Sequence, residues 1–377
     1  MMGQPWLVKL GTRLAPWSIK VGLPVKGLIR QTIFKQFVGG ETLTETATVA
    51  KKLAESNVQV ILDYGVEGME GESAFDHARD EFIRVIEYAA TQPNIPFMSI
   101  KVTGFARFGL LERIDTLMNT SDGTNLILAY NNALQQLSAE ELNEWHRVFE
   151  RTKRICEVAK QKGIGVLVDA EETWIQDPVD ALTTLMMEAY NKEKVVVYNT
   201  IQLYRHDRLA FLKESFQIAQ DRQFVLGAKL VRGAYMEKER RRAEEKGYPS
   251  PIQPNKEASD KDYNDGLRFC IDHIDQIGLI VASHNEYSNL LATQLLQEKG
   301  LPLNHPHVHF SQLYGMSDNI TYNLAKAGCS VSKYLPFGPI KDVIPYLMRR
   351  AQENTSVGGQ TGRELSLIQK ELSRRKS

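Results

Sequence analysis

The chain has 377 residues, 42% of them hydrophobic and 24% charged, the balance of a soluble globular protein with one large domain or two ordinary ones. Its 46 basic and 46 acidic side chains cancel, which excludes a global attraction to nucleic acid or to an acidic membrane surface. Three scattered cysteines, Cys156, Cys270 and Cys329, have no CxxC spacing, which excludes a disulfide framework or a zinc knuckle and points to a reducing, cytoplasmic setting.

The first 40 residues hold Lys9, Arg13, Lys20, Lys26, Arg30 and Lys35 and no acid before Glu41. Two readings stay open for this arm. It is either a basic amphipathic segment that makes a peripheral contact with anionic lipid at the inner face of the membrane, or an arm that packs on the domain. Trp6, Trp17, Ile29 and Phe34 serve either. No apolar run in the chain is long enough to span a bilayer.

From residue 41 the pattern turns regular, which sets a boundary between an arm (1–40) and a catalytic domain with a C-terminal helical tail (41–377). Apolar, β-branched runs predict strands over 58–65, 97–104, 165–171, 195–204, 228–235, 279–285, 308–315 and 330–338. Between them lie helical stretches. One covers 74–92. Another opens at Ser138 and Glu141 as a capping box and closes at Gly163. A third opens with Asp177 as cap and Pro178 at the first helical position. Eight strand–helix units in this length predict an α/β fold, a closed (β/α)8 barrel of the TIM type, with an open doubly wound sheet as the alternative. "GVEGMEG" and "VGGQTG" lack the GxGxxG spacing of a dinucleotide fingerprint.

A barrel of this kind builds its site at the C-terminal strand ends. Those ends carry Asp63, Lys101, Asp169 with Glu171 and Glu172, Gln202 with Tyr204, Lys229 with Arg232 and Gly233, His284 with Asn285, Gln312, and Lys333 with Tyr334. Polar groups at one end of every strand are more than packing requires. No metal set is expected. His305, His307 and His309 fall at the start of a strand, and the neighbouring acids of "DAEE" point to opposite faces.

The last strand runs into "YLPFGPIKDVIPYLMRRAQENT", where Tyr346, Arg349, Arg350 and Glu353 share one helical face. Glu353 can fix one arginine and leave the other to grip a carboxylate in two-point fashion. A plain surface salt bridge is the competing reading.

"KLVRGAYMEKE", "ASHN", "VDAEE" and "YLPFGPIKDVIPYLMRRAQEN", in that setting, resemble the proline dehydrogenase family. The tail resembles its stand-alone form. The resemblance implies a distorted (β/α)8 barrel holding non-covalent FAD across its C-terminal face. It implies oxidation of L-proline to Δ1-pyrroline-5-carboxylate by hydride transfer from C5 to flavin N5, with electrons passed to a quinone. By position, Arg349 and Arg350 match the arginines on the substrate carboxylate and Glu353 their partner. Lys101 matches a lysine beside the substrate that pairs with Asp169. Tyr334 and Leu313 match residues packing on the substrate ring, beside Tyr346. Gln202 and Lys229 match groups facing the isoalloxazine. Arg232, Gly233, Ala234, Ser283, His284, Asn285 and Gln312 fall to the remaining cofactor contacts. Lys229 stands where many members have arginine, Met236 where an aromatic is common, and Ser283 where threonine is frequent. Other readings remain: a 4-hydroxyproline dehydrogenase, a flavin-free lyase using Lys229 or Lys101 as a Schiff-base amine, or a barrel that only binds amino acids.

Overall fold

A computed structural model describes residues 30–65, 68–119, 125–356 and 372–374, with backbone alone for 351–356. Eight parallel strands close on themselves in sequence order: β1 Gln59–Tyr64, β2 Phe97–Ile100, β3 Gly165–Val168, β4 Val197–Gln202, β5 Leu226–Val231, β6 Ile277–Ala282, β7 Val308–Leu313 and β8 Val331–Phe337. β8 pairs with β1 over six register positions, Gln59 opposite Ser332 to Tyr64 opposite Phe337, and this closure rules out the open sheet. The eight expected strands are all present. Most are shorter than the sequence pattern suggests, because polar residues past each strand end turn into loops.

The helices that cover the barrel are α1 Leu43–Ala54, α2 Glu72–Ala89, α3 Phe108–Met118, α4 Leu126–Leu134, α5 Ala139–Lys162, α6 Gln176–Tyr190, α7 Arg208–Asp221, α8 Met236–Lys246, α9 Lys256–Asp272, α10 Glu286–Glu298, α11 Asp318–Lys326 and α12 Ile340–Ser356. α5 has the expected capping box, with Ser138 and Glu141 bonding each other's backbone N–H, and ends at Gly163 with φ 70°. α6 begins two residues earlier than expected, at Gln176, behind a 3-10 turn over Thr173–Ile175. Asp177 does not cap it. Its own N–H donates to Asp115 Oδ2 at 3.1 Å, so a carboxyl group from α3 occupies the helix start.

Three apolar clusters hold these layers. The large one lies between strands and helices. A small one fills the barrel bore with Ile61, Leu167, Tyr198, Ile280 and Tyr334. The third joins Phe34, Phe37 and Val38 to Met316 and to Ile340, Val343, Tyr346 and Leu347 of α12. The N-terminal turns Arg30–Phe34 and Lys35–Phe37 thus pack on the helix that carries the arginine pair. Gly315 shows how closely they lie. Its φ is 77°, and a Cβ there would meet the Gln36 carbonyl oxygen at 2.1 Å. For residues 30–38 the packing reading of the arm is therefore the observed one. The rest of the arm lies outside the described residues. Among the described residues, no helix is long and apolar enough to cross a membrane.

Candidate active site

Side chains at alternate positions of a strand share a face, so Ser99 and Lys101, at the end of β2, point the same way. They converge on Asp169, just past β3. Ser99 Oγ donates to Asp169 Oδ1 at 2.6 Å, and Lys229 of β5 bonds the same oxygen. Lys101 Nζ lies 3.1 Å from Oδ2, and the Tyr334 hydroxyl of β8 donates to Oδ2 at 2.6 Å. Four strands thus meet at one carboxylate. Lys101 Nζ also lies 3.4 Å from Asp63 Oδ1 and 3.5 Å from the Tyr334 hydroxyl. Lys229 Nζ stands 5.4 Å from the centre of the Tyr334 ring.

All these groups are buried. Burial alone would raise the Asp169 carboxyl, but Lys229 and Lys101 outweigh it and hold it well below the usual carboxylate range. Burial, with the charges of Asp169 and Asp63, drives the Tyr334 phenol far above its ordinary value. The node is therefore an ionised carboxylate under a neutral phenol.

A second group forms where β5, β6 and α9 meet. Arg232 stacks on Tyr263 at 3.7 Å. Its nitrogens reach Ser283 Oγ at 2.9 Å, Ser288 Oγ at 2.7 Å and Asp260 Oδ1 at 2.8 Å. Asn285 caps α10, its side chain accepting from Ser288 N at 3.1 Å. Gly233 lies tight against the Met236 side chain, whose Sδ would stand 2.3 Å from a Cβ there. Ala234 is exposed in the same turn. Gln312 braces this region from beneath, donating to the Ser283 carbonyl at 3.2 Å and accepting from Thr321 Oγ1 at 2.9 Å. Gln202 donates to the Glu171 carbonyl at 2.7 Å and to the Tyr204 hydroxyl at 2.9 Å.

α12 ties the two groups together. Tyr346 lies in the third cluster, and Leu313 packs against both that cluster and the barrel bore. Arg350 is buried 5.3 Å from the centre of the Tyr346 ring, and Arg349 stands 5.7 Å from that of Tyr235. His284 Nδ1 lies 2.8 Å from Ser317 Oγ, and its Nε2 accepts from Leu313 N at 3.4 Å. Burial, then the charges of Lys333 and Arg350, push the imidazole down to about 3, so it is neutral at ordinary pH. The Glu353 side chain lies outside the described residues.

The structure thus gathers Lys101, Asp169, Lys229 and Tyr334 in one node and Arg232, Ser283 and Asn285 in another. Arg349, Arg350 and Tyr346 come in on α12. Sequence reasoning missed Ser99, Tyr235 and Asp260. The alternation with Lys101 was a usable signal for Ser99. Nothing in the local sequence announced Asp260, which reaches Arg232 from a separate helix.

A family model described as proline dehydrogenase matches residues 46–363. Among curated proteins, Proline dehydrogenase 1, mitochondrial, of Dictyostelium discoideum is 34% identical over 94% of this chain and 67% of its own length. Hydroxyproline dehydrogenase of Xenopus laevis is 33% identical over 97% of this chain and 80% of its own length. Among solved structures, proline utilization A from Bdellovibrio bacteriovorus, inactivated by N-propargylglycine, superposes with TM-score 0.74 at 22% identity. That match covers 89% of this chain and 34% of the other, so this chain spans about a third of that protein.

Proposed function

The chain belongs to the proline dehydrogenase family, and from that premise we propose its reaction in full: FAD-dependent oxidation of L-proline to Δ1-pyrroline-5-carboxylate, with electrons passed on to a quinone. The observation that carries this reading is the buried Asp169 node, fed by two lysines and a phenol and placed beside an arginine-bearing helix. A cyclic amino acid needs such a site: a cationic grip for its carboxylate and a dry, rigid wall for its ring.

The residues past β5 and β6 suit a dinucleotide. Arg232, pinned by two serines and Asp260, offers a cation beside the N-terminus of α10, a setting that favours a diphosphate. The turn at Gly233 lets the backbone run bare past the Met236 side chain. Gln202 and Lys229 would face the ring system, and FAD bound there would supply the acceptor for a hydride. Arg349 and Arg350 hold the proline carboxylate, while Lys101, Leu313 and Tyr334 wall the ring. Lys101 and Lys229 both pair their amines with Asp169, which favours them as a fixed charge pair over free Schiff-base amines.

The test is direct. Purified protein should be yellow, and L-proline should bleach the flavin band without oxygen. Protein that takes up FAD but does not bleach with proline would overturn the proposal. The hydroxyproline reading is judged on the same assay by kcat/KM for both substrates.

A further inference from the structure

We propose that Asp63, at the end of β1, is the carboxylate that faces the ring ammonium of the amino-acid substrate and takes its proton. The inference rests on the proline reading above and adds a catalytic group to it.

Proline in water carries a carboxylate and a secondary ammonium. A hydride can leave C5 only as the nitrogen lone pair closes the C=N bond, so the ammonium must first lose a proton. Few groups at the barrel mouth can take it. Asp169 is committed to four donors and lies well below the usual carboxylate range, which makes it a poor acceptor. Tyr334 keeps its proton and donates it to Asp169. Lys101 and Lys229 are paired with the same carboxylate. His284 is a weak base with both ring nitrogens engaged.

Asp63 remains. It is 2% exposed and sits in register with Ser99 of β2 and Pro336 of β8. Its Oδ1 is 3.4 Å from Lys101 Nζ, and that amine is 3.5 Å from the Tyr334 hydroxyl, so Asp63 shares a wall with the two groups expected to border the ring. The charges facing it include Lys101 from β2 and, through that amine, Asp169 and Lys229, with the neutral phenol of Tyr334 from β8. The arginines of α12 take one end of the zwitterion and Asp63 the other. Burial helps the transfer, because a neutral acid beside a neutral amine escapes the desolvation penalty that the ion pair bears. The proton moves from the ring nitrogen to the Asp63 carboxylate. Loss of that proton frees the nitrogen lone pair to form C=N as the C5–H bond breaks, and bound FAD would supply the acceptor for the departing hydride.

The experiment compares wild type with Asp63→Asn, both loaded with FAD, using L-proline and cyclopentanecarboxylate, which keeps the ring and carboxylate but has no amine. Two readouts are taken: inhibitor affinity, and the single-turnover rate of flavin bleaching against pH. In Asp63→Asn the affinity for cyclopentanecarboxylate should stay within about twofold. Bleaching by proline at neutral pH should fall by roughly 10²–10⁴-fold, the usual share of a general base, and should recover as pH rises and free amine forms. A variant that weakens both ligands equally, or a rate profile parallel to wild type at every pH, overturns the proposal. Should Asp63→Asn not fold, wild type still decides. Its bleaching rate at saturating proline should be nearly level from about pH 6 to about pH 8, where free proline is an ammonium. A tenfold rise per pH unit there overturns it. Wild type that never bleaches with proline strikes the functional reading itself, which keeps the two failures apart.

Discussion

Asp169 accepts from Ser99 and Lys229 on one oxygen and from Lys101 and Tyr334 on the other, so removing Asp169 or either lysine unbalances a buried charge cluster. Asp169→Ala and Lys101→Ala should therefore not add. The double-mutant cycle in kcat/KM should show a coupling of about 0.5–3 kcal/mol, and simple additivity would break the pair. Arg349→Met and Arg350→Met should each raise the proline KM by the loss of a charged contact, about 1.5–3 kcal/mol, with FAD content unchanged. Unchanged KM in both removes the clamp. Tyr334 sits where C4 of the ring would meet the barrel wall. Tyr334→Ser should narrow the preference for L-proline over trans-4-hydroxy-L-proline by losing packing of about 1–3 kcal/mol on proline. A ratio of kcat/KM values that does not move clears Tyr334 of that role. Away from the site, burial and the neighbouring Asp177 push the Asp115 carboxyl up to about 8. A carboxyl raised on folding contributes stability at low pH and loses it as pH climbs from its unfolded value of 3.8 through about 8. Asp115→Asn should flatten the fall in Tm across that window, and a curve that keeps its slope would refute this.

α12 has an apolar cluster of its own, separate from the main core, shared with residues 34–38 and Met316. Its first N–H, that of Ile340, donates to Glu41 Oε2 at 3.4 Å, so the N-terminal segment also touches the helix start. The arginine pair is thus held by an element that the barrel alone does not fix. Phe37→Ala removes a ring that is 1% exposed, a change that typically costs about 3–5 kcal/mol. Amide exchange should quicken in α12 while the β-strands stay protected. Equal quickening in both would mean that the cluster and barrel unfold as one.

For the whole molecule, the arm is seen to pack on α12 through Phe34, Phe37 and Val38. Deleting residues 1–29 should spare turnover with a soluble dye and lower it with a quinone in liposomes, if that stretch meets lipid. Deleting residues 1–37 should lower both, because Phe34 and Phe37 go with it. Equal losses in the shorter deletion would count against the lipid contact.

The alternation of β-branched runs with amphipathic stretches was enough for the eight strands and their parallel order, because burial on both faces leaves a continuous apolar signature. The capping box at Ser138 and the close at Gly163 were equally local, since a cap is made by residues within one turn. The polar residues past each strand end fall at the C-terminal face of the barrel, where the strands stop and loops begin. Their pairing was decided only by closure. Ser99, Lys101, Asp169, Lys229 and Tyr334 come from four strands, and Asp260 reaches Arg232 from α9. Sequence neighbours say nothing about which carboxylate two distant lysines will share. That depends on strand register and on the low dielectric of the bore, both properties of the closed barrel alone.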